Sequence, residues 1–260
     1  MSWPVFRVAL RGRLPMTGSV AFGLVAVLLA TGALFPAVGH SFGKLSLPSG
    51  VARLLGGADY ANPTGWFRSE IASIYGPLLM AAVTVTAAAT TTAGEEESRI
   101  LALVLAHPVP RSRLVASKAA AMTALALTVA VAAWVGLISG VALAGGGIGV
   151  LRMGAFSLQL AFFGLAIGAI ALAVGAGNGR RSLAVGVAVG VAVVGWLING
   201  FATLVPAISW SRFVSPFYYY ARHDPLTRGV DVRGLATLGA LSVVLVAVGI
   251  AAFQRRDLRA

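Results

Sequence analysis

Residues 153–176 read MGAFSLQLAFFGLAIGAIALAVGA, a run of 24 residues without Asp, Glu, Lys, Arg or His. A helix rises about 1.5 Å per residue, so about 20 apolar residues cross the ~30 Å hydrocarbon core of a bilayer. An ionisable side chain at mid-bilayer costs roughly 2.5–3.5 kcal/mol, which favours a charge-free segment at that depth. This stretch therefore predicts a membrane-spanning helix.

Five further runs of the same kind lie on either side of it. The six predicted spans cover residues 16–39, 71–93, 119–144, 153–176, 183–206 and 234–253. None contains an Asp, Glu, Lys, Arg or His, and none has the apolar–polar alternation of a strand in a membrane barrel. We predict an all-α, polytopic membrane protein with six transmembrane helices in one membrane domain, residues 1–260.

The composition supports this class. Of 260 residues, 58% are hydrophobic and 11% are charged, whereas a soluble domain carries roughly a quarter charged residues. The net charge is +12, but the basic residues stand in short islands between apolar runs, so nucleic acid is not a predicted partner. The chain has no cysteine, which excludes disulfides, and we predict no metal site.

The distribution of basic residues predicts the orientation. An even number of spans places both termini on one side, and 12 of the 20 Lys and Arg residues fall there, in the shorter connections. Cytoplasmic loops are enriched in Lys and Arg, so we expect a multi-pass protein of the cell membrane with both termini cytoplasmic.

The N-terminal segment, residues 3–14, is amphipathic. Trp3, Phe6 and Leu10 recur at helical spacing, and two arginines lie one turn apart on another face. The pattern predicts a helix in the membrane interface, bound to lipid, with a break at Pro15 before the first span. A simple charged anchor and a contact surface for a partner explain this pattern equally well.

The connection between the second and third spans, residues 94–118, reads GEEESRILALVLAHPVPRSRLVASK. Gly94 is suited to end the second span, and Glu95–Glu97 would then open a new helix whose dipole their charge complements. An apolar stretch too short to span follows, and prolines stop it. We predict a short cytoplasmic helix that docks a protein; a solvated turn with a charge run is the alternative.

Polar residues offer little chemistry within the spans. Ion-driven carriers keep a carboxylate or histidine there, a hydrolase needs a base beside its nucleophile, and neither feature is present. No G-x-x-x-x-G-K-[ST] phosphate loop occurs, so we predict that the chain is not an enzyme. Asn199 and Gln159 either line a translocation path or bond neighbouring helices.

Aromatic residues mark the connection between the fifth and sixth spans. Rings there form an interfacial belt or, alternatively, belong to short helices that line an outer gate. The candidate gate residues are Pro216, Phe217, Tyr218 and Tyr219.

Together these motifs resemble the type-2 ATP-binding-cassette (ABC-2) exporter permeases. The resemblance is carried by the acidic cluster Glu95–Glu97, the leucine-rich stretch after it, Pro108-Val109-Pro110-Arg111 with Lys118, the segments Ser215-Pro216-Phe217-Tyr218-Tyr219-Tyr220 and Asp224-Pro225-Leu226, and the tail from Phe253 to Leu258. It covers most of the chain, and the order and spacing of the motifs make it specific.

The resemblance implies a permease subunit of an ATP-driven exporter that moves a hydrophobic or amphipathic substrate outward. ATP and Mg²⁺ would bind a separate ABC ATPase, two copies per transporter, and no cofactor would bind this chain. The permease would pair with a second copy or with a related permease. The short helix would be the coupling helix, contacting the ATPase through Glu95, Glu96, Glu97, Arg99, Leu101, Leu103, Leu105, Pro108 and Arg111. A membrane scaffold whose loop docks a soluble partner is the alternative.

Overall fold

The computed structural model describes residues 2–42, 62–97, 110–201 and 206–256. Six helices in these ranges are long and apolar enough to cross a membrane, and the described residues contain no β-strand. The prediction of an all-α polytopic membrane protein with six spans is therefore confirmed.

The helix bounds agree closely with the predicted spans. Span 1 is Leu14–Phe42, span 3 is Arg111–Leu143, span 4 is Val150–Asn178, span 5 is Arg181–Phe201 and span 6 is Val232–Arg255. Span 3 begins eight residues earlier than predicted, because its first two turns carry basic side chains that a charge-free criterion leaves out.

Span 2 is built from five segments in unbroken succession. They are the α-helix Pro63–Phe67, the π-helix Arg68–Tyr75, the α-helix Gly76–Ala89, the π-helix Thr90–Gly94 and the α-helical turn Glu95–Glu97. In both π-helical stretches a hydroxyl bonds the backbone: Ser73 donates to the Arg68 carbonyl at 3.1 Å and Thr91 to the Ala87 carbonyl at 2.6 Å. Single π-helical turns occur often at functional sites. The first π-helical stretch borders the cavity described below, and the second leads into the set of ion pairs described with it.

The prediction that Gly94 ends span 2 is wrong. Gly94 lies in the second π-helical stretch without a left-handed φ, and the helix continues through Glu95–Glu97. The three carboxylates therefore extend span 2 and do not open a new helix. The proposed short helix lies largely in residues 98–109, outside the described residues.

The N-terminal segment forms a separate helix, Trp3–Arg11, as predicted. Its backbone N–H at Ser2 donates to the hydroxyl of Ser117 in span 3 at 2.8 Å, and Trp3 is 58% exposed. The break before span 1 falls at residues 12–13 rather than at Pro15, because proline needs no hydrogen-bonded N–H in the first turn of a helix and so starts span 1.

Span 4 is the centre of the bundle. Of its membrane-crossing stretch 67% is buried, against 17% for span 6. Gly164 and Gly168 of span 4 pack on Met80 and Thr84 of span 2 so closely that a Cβ at either glycine would overlap them. Helices in lipid gain little from the hydrophobic effect, so close contact at small residues is what holds such pairs together.

Two further pairs of glycines four positions apart have different environments. Gly136 and Gly140 of span 3 pack on Leu28 of span 1, again without room for a Cβ. A Cβ at Gly186 or Gly190 of span 5 would meet no atom of the described chain within 4 Å. The first pair therefore builds the bundle, and the second faces outward.

The described part of the connection between spans 5 and 6, from residue 206 onward, contains three short helices at the end of the bundle opposite the termini. They are the 3₁₀-helix Pro206–Val214 and the α-helices Pro216–Ala221 and Pro225–Arg228. The helix Pro216–Ala221, called the aromatic helix below, packs against spans 4, 5 and 6. Ser215 fixes its start, because its hydroxyl accepts from the N–H of Phe217 and donates to the Gly195 carbonyl of span 5 at 2.9 Å.

Candidate functional site

The carboxylates at the end of span 2 form ion pairs with other helices. Glu95 accepts a hydrogen bond from Nζ of Lys118 in span 3 at 2.7 Å, and Glu96 pairs with Arg256 at the end of span 6. The Lys118 side chain is 3% exposed and that of Glu96 11% exposed. Removing one partner of a buried pair leaves an uncompensated charge and costs about 3–5 kcal/mol.

Backbone groups complete this arrangement. Glu97 accepts from the backbone N–H of Arg181, at the start of span 5, at 2.8 Å. Arg256 also donates to the carbonyl of Ala176 in span 4 at 3.0 Å, and its own carbonyl accepts from Arg111 of span 3 at 3.0 Å. The turn Glu95–Glu97 thus joins the ends of spans 3, 5 and 6 directly and span 4 through Arg256. We call this set of residues the carboxylate cluster.

Arg13, just before span 1, lies in the field of the same groups. Burial and then the positive charge of Arg181 lower the pKa of Arg13, while the negative charge of Glu95 opposes the shift. The cluster therefore concentrates charges of both signs at the end of the bundle that carries both termini.

The structure describes only part of the predicted coupling segment. Glu95–Glu97 and Arg111 come together in the carboxylate cluster, and Glu97 is the exposed carboxylate of the three. Five further predicted contact residues lie outside the described residues: Arg99, Leu101, Leu103, Leu105 and Pro108. Sequence reasoning used Lys118 as part of the family resemblance and missed its partner, although three of the chain's eight acidic residues stand together on the same predicted side.

A cavity of about 220 Å³ lies at the opposite end of the bundle, between spans 2, 4 and 5 and the aromatic helix. We call it the distal cavity. It is lined by Arg68, Ala72, Ser73, Phe156, Trp196, Asn199, Gly200, Phe217, Tyr220, Ala221, Asp224 and Pro225.

An ion pair and a buried phenol frame the distal cavity. Arg68 of span 2 pairs with Asp224 at 2.7 Å, with the side chains 27% and 22% exposed. The Tyr220 hydroxyl donates to the Ala72 carbonyl at 2.9 Å. Burial and then the charge of Asp224 raise the pKa of Tyr220 well above its ordinary value, so the phenol stays neutral and remains a donor. These contacts fasten span 2 to the connection between spans 5 and 6.

Aromatic packing and a second ion pair hold the aromatic helix in place. The ring of Phe163 in span 4 lies 5.1 Å from that of Tyr220 and 5.4 Å from that of Phe217. Arg222 binds both carboxylate oxygens of Asp231, at 2.7 and 2.9 Å. The bonds from Arg222 lower the pKa of Asp231, so the carboxylate stays charged at neutral pH.

Gln159, predicted as a path residue, is fully buried in span 4 and is not among the residues lining the distal cavity. Its amide donates to the Tyr219 carbonyl of the aromatic helix at 2.8 Å. A Cβ at Gly234 of span 6 would overlap this carbonyl, the Gln159 amide and Asp231, so spans 4 and 6 meet here at a position that requires glycine.

The other predicted path and gate residues divide between two places. Asn199 and Phe217 line the distal cavity together, as sequence reasoning did not foresee. Pro216 lines a separate apolar groove along span 5. Tyr218 and Tyr219 are half-buried, and the Tyr219 hydroxyl donates to the Phe213 carbonyl at 2.9 Å.

Comparison with known families gives a match over nearly the whole chain. A family model described as "Multidrug efflux system permease Rv1217c, C-terminal domain" matches residues 5–254 of the chain. No curated protein matches the chain. The match covers the distal cavity, spans 1 to 5, span 6 except its last residue, and the carboxylate cluster except Arg256.

Proposed function

We propose, from the premise that this chain belongs to the family of the multidrug efflux system permease Rv1217c C-terminal domain, that it is the membrane-spanning subunit of an ATP-driven exporter. Family membership makes it a transport permease and not an enzyme. The finer proposal concerns its energy source, its direction and its cargo, a hydrophobic or amphipathic molecule moved outward. The observation that carries it is the carboxylate cluster, which joins the end of span 2 to four other spans.

The energy comes from a separate ABC ATPase in two copies, which binds ATP and Mg²⁺. The connection after span 2, residues 98–109, docks on the ATPase at the cytoplasmic face, through Arg99, Leu101, Leu103, Leu105 and Pro108. A ligand shifts a conformational equilibrium only through contacts that differ between two states. The contacts of the carboxylate cluster are those that change between the two states. When the ATPase displaces residues 98–109, the turn Glu95–Glu97 moves with them, and its ion pairs and hydrogen bonds transmit the movement to spans 3, 5 and 6.

The three carboxylates divide this work. Glu95 and Glu96 hold the bundle through Lys118 and Arg256. Glu97 is exposed and accepts from one backbone N–H, so it is the carboxylate that also contacts the ATPase. Arg111 is placed by its bond to the Arg256 carbonyl on the same side.

The translocation path runs between two permeases. One bundle is filled at its centre by span 4, so a path is better formed between two copies or between this chain and a related permease. The open glycines Gly186 and Gly190 of span 5 would allow a second bundle to approach closely. Both termini then lie in the cytoplasm with the ATPase.

Co-purification of the full chain with the ATPase from its host tests this proposal. We expect an ATPase whose hydrolysis is stimulated by a transported amphipathic compound. Glu97→Ala should weaken association or stimulation about tenfold, since a hydrogen bond to a charged group contributes about 1.5–3 kcal/mol. Glu70→Ala, at the other end of span 2, is the matched control and should leave both unchanged.

Two results would count against the proposal. If Glu97→Ala leaves association and stimulation intact, the coupling role of this carboxylate is wrong. If a soluble protein without ATPase activity is recovered instead, the chain is a membrane scaffold and not the subunit of an exporter.

A further inference from the structure

We propose that the distal cavity binds an uncharged, planar amphipathic molecule, with its ring system against the aromatic walls and a hydrogen-bonding edge on Asn199. The proposal combines three properties of the cavity: the shape of its walls, the one side-chain amide that its own contacts leave available, and the balance of its charges.

The walls suit a flat ring. Phe156 of span 4, Trp196 of span 5, and Phe217 and Tyr220 of the aromatic helix all line the cavity. Aromatic rings bind one another by offset stacking and edge-to-face contact, so walls of this kind favour a planar guest. An apolar cavity of about 150 Å³ holds benzene, so the 220 Å³ found here accommodates a system of about two fused rings.

Asn199 is the side-chain amide left for a ligand, and it lies in the same lining as Arg68, whose buried Nε also has no hydrogen-bond partner among the described residues. The hydroxyls of Ser73 and Tyr220 already donate to backbone carbonyls of the first π-helical stretch, at 3.1 and 2.9 Å. The Asn199 side chain lines the same cavity and makes no hydrogen bond within the part of the chain that the structure describes. Its amide offers a donor and an acceptor side by side, which matches a hydroxyl or a carbonyl on the edge of a ring.

The charges of the cavity favour a neutral guest. Arg68 and Asp224 neutralise each other at 2.7 Å, and they are the charged residues of the lining. An anion or a cation entering the cavity would lose hydration without meeting an uncompensated opposite charge, which is costly. A neutral molecule avoids this desolvation cost.

Binding to the distal cavity does not depend on the ATPase. That the bound molecule is cargo of the exporter rests on the proposed function, but the cavity itself is built from one chain. Binding is therefore measured on the permease alone, and transport is measured separately with its ATPase, so that either proposal is able to fail without the other.

The test uses the full chain in lipid nanodiscs and three radiolabelled probes with the same ring. They are 2-naphthol, 2-naphthoate and (2-naphthyl)trimethylammonium, measured by equilibrium binding at neutral pH with empty nanodiscs subtracted. We expect saturable binding of one 2-naphthol per chain. The two ions should bind about tenfold or more weakly, because the charge of the bound ion would have no uncompensated opposite charge beside it.

Two pairs of variants locate the site. Asn199→Leu should weaken 2-naphthol binding by about fivefold to tenfold, the value of one hydrogen bond, and Trp196→Leu should weaken it similarly through the lost ring contact. Asn178→Leu, at the other end of span 4, and Trp210→Leu, which replaces a ring that is 65% exposed, are the matched controls and should bind as the parent does.

A third variant tests the charge argument. Asp224→Asn leaves Arg68 uncompensated, so the preference should shift toward 2-naphthoate by about fivefold or more. Binding that does not saturate, or that is unchanged in both Asn199→Leu and Trp196→Leu, would overturn the proposal, because the probe then resides in lipid. An unchanged ratio of 2-naphthol affinity to 2-naphthoate affinity in Asp224→Asn would overturn the assignment of a neutral ligand. Saturable, cavity-dependent binding without ATP-driven transport would leave the site standing and remove only the export function.

Discussion

The ion pair between Glu95 and Lys118 offers the sharpest test of the carboxylate cluster. Lys118→Met removes the ammonium while keeping the length of a side chain that is 3% exposed, and it takes from Glu95, 21% exposed, the positive charge of Lys118. Two unit charges about 4 Å apart attract by about 4 kcal/mol at an effective dielectric constant of about 20. Breaking a buried pair costs about 3–5 kcal/mol, and the partial exposure of Glu95 places the expected loss of stability near the lower end, about 3 kcal/mol.

A double-mutant cycle separates the pair from its surroundings. Glu95→Gln should destabilise the chain by a similar amount, and Glu95→Gln with Lys118→Met should regain most of the loss because no unpaired charge remains. The expected coupling free energy is about 2–3 kcal/mol. Equilibrium unfolding in mixed micelles, followed by circular dichroism, measures each variant.

The control for this cycle is Arg113→Met, on the same helix and exposed, without an ion pair among the residues that the structure describes. It should change the free energy of unfolding by less than about 0.5 kcal/mol, as is usual for surface substitutions. If the effects of Glu95→Gln and Lys118→Met simply add, the two side chains do not interact. The proposal that the carboxylate cluster couples span 2 to span 3 then fails.

Two further predictions concern packing and pH. Gly140→Leu should destabilise the bundle by about 2 kcal/mol or more, because the new side chain overpacks against span 1. Gly186→Leu should leave the thermal midpoint unchanged and weaken the pairing of two permeases. Thermal unfolding measures the stability of each variant, and mass photometry in nanodiscs measures the pairing. The pKa of Asp231 is held below its ordinary value of 3.8 by Arg222, so its ion pair stabilises the fold above about pH 4 and the contribution is lost as the pH falls through the lowered pKa. The difference in thermal midpoint between the parent and Asp231→Asn should accordingly be constant near neutral pH and shrink in acid; a difference that grows in acid would contradict this assignment.

The spans were predictable because length and absence of charge are local properties. The end of span 2 was not, because Gly94 carries no intrinsic preference strong enough to stop a helix whose next residues are held elsewhere. Glu95 is fixed by a residue 23 positions away, at the far end of the same connection, and Glu96 by one 160 positions away, which no local window of sequence contains. Local pattern thus predicted the helix and missed its end.

The distal cavity shows the same limit. Asn199 and Phe217 stand out in the sequence as a polar residue in a span and an aromatic residue in a loop. The ion pair that frames them joins residues 156 positions apart, and it depends on how the connection between spans 5 and 6 lies against span 2. The candidate residues were therefore recognisable one by one, but their common cavity was not.

Span 2 runs without interruption from the distal cavity, at Arg68 and Ser73, to the carboxylate cluster, at Glu95–Glu97, through the regular stretch Gly76–Ala89. Each residue of a helix turns its successor by about 100°, so one insertion or deletion in this stretch would swing one set of contacts away from its partners while leaving the other in place. The number of residues between the two ends of span 2 is therefore under tighter constraint than their identity. An insertion or deletion in this stretch is the change that the helix tolerates least.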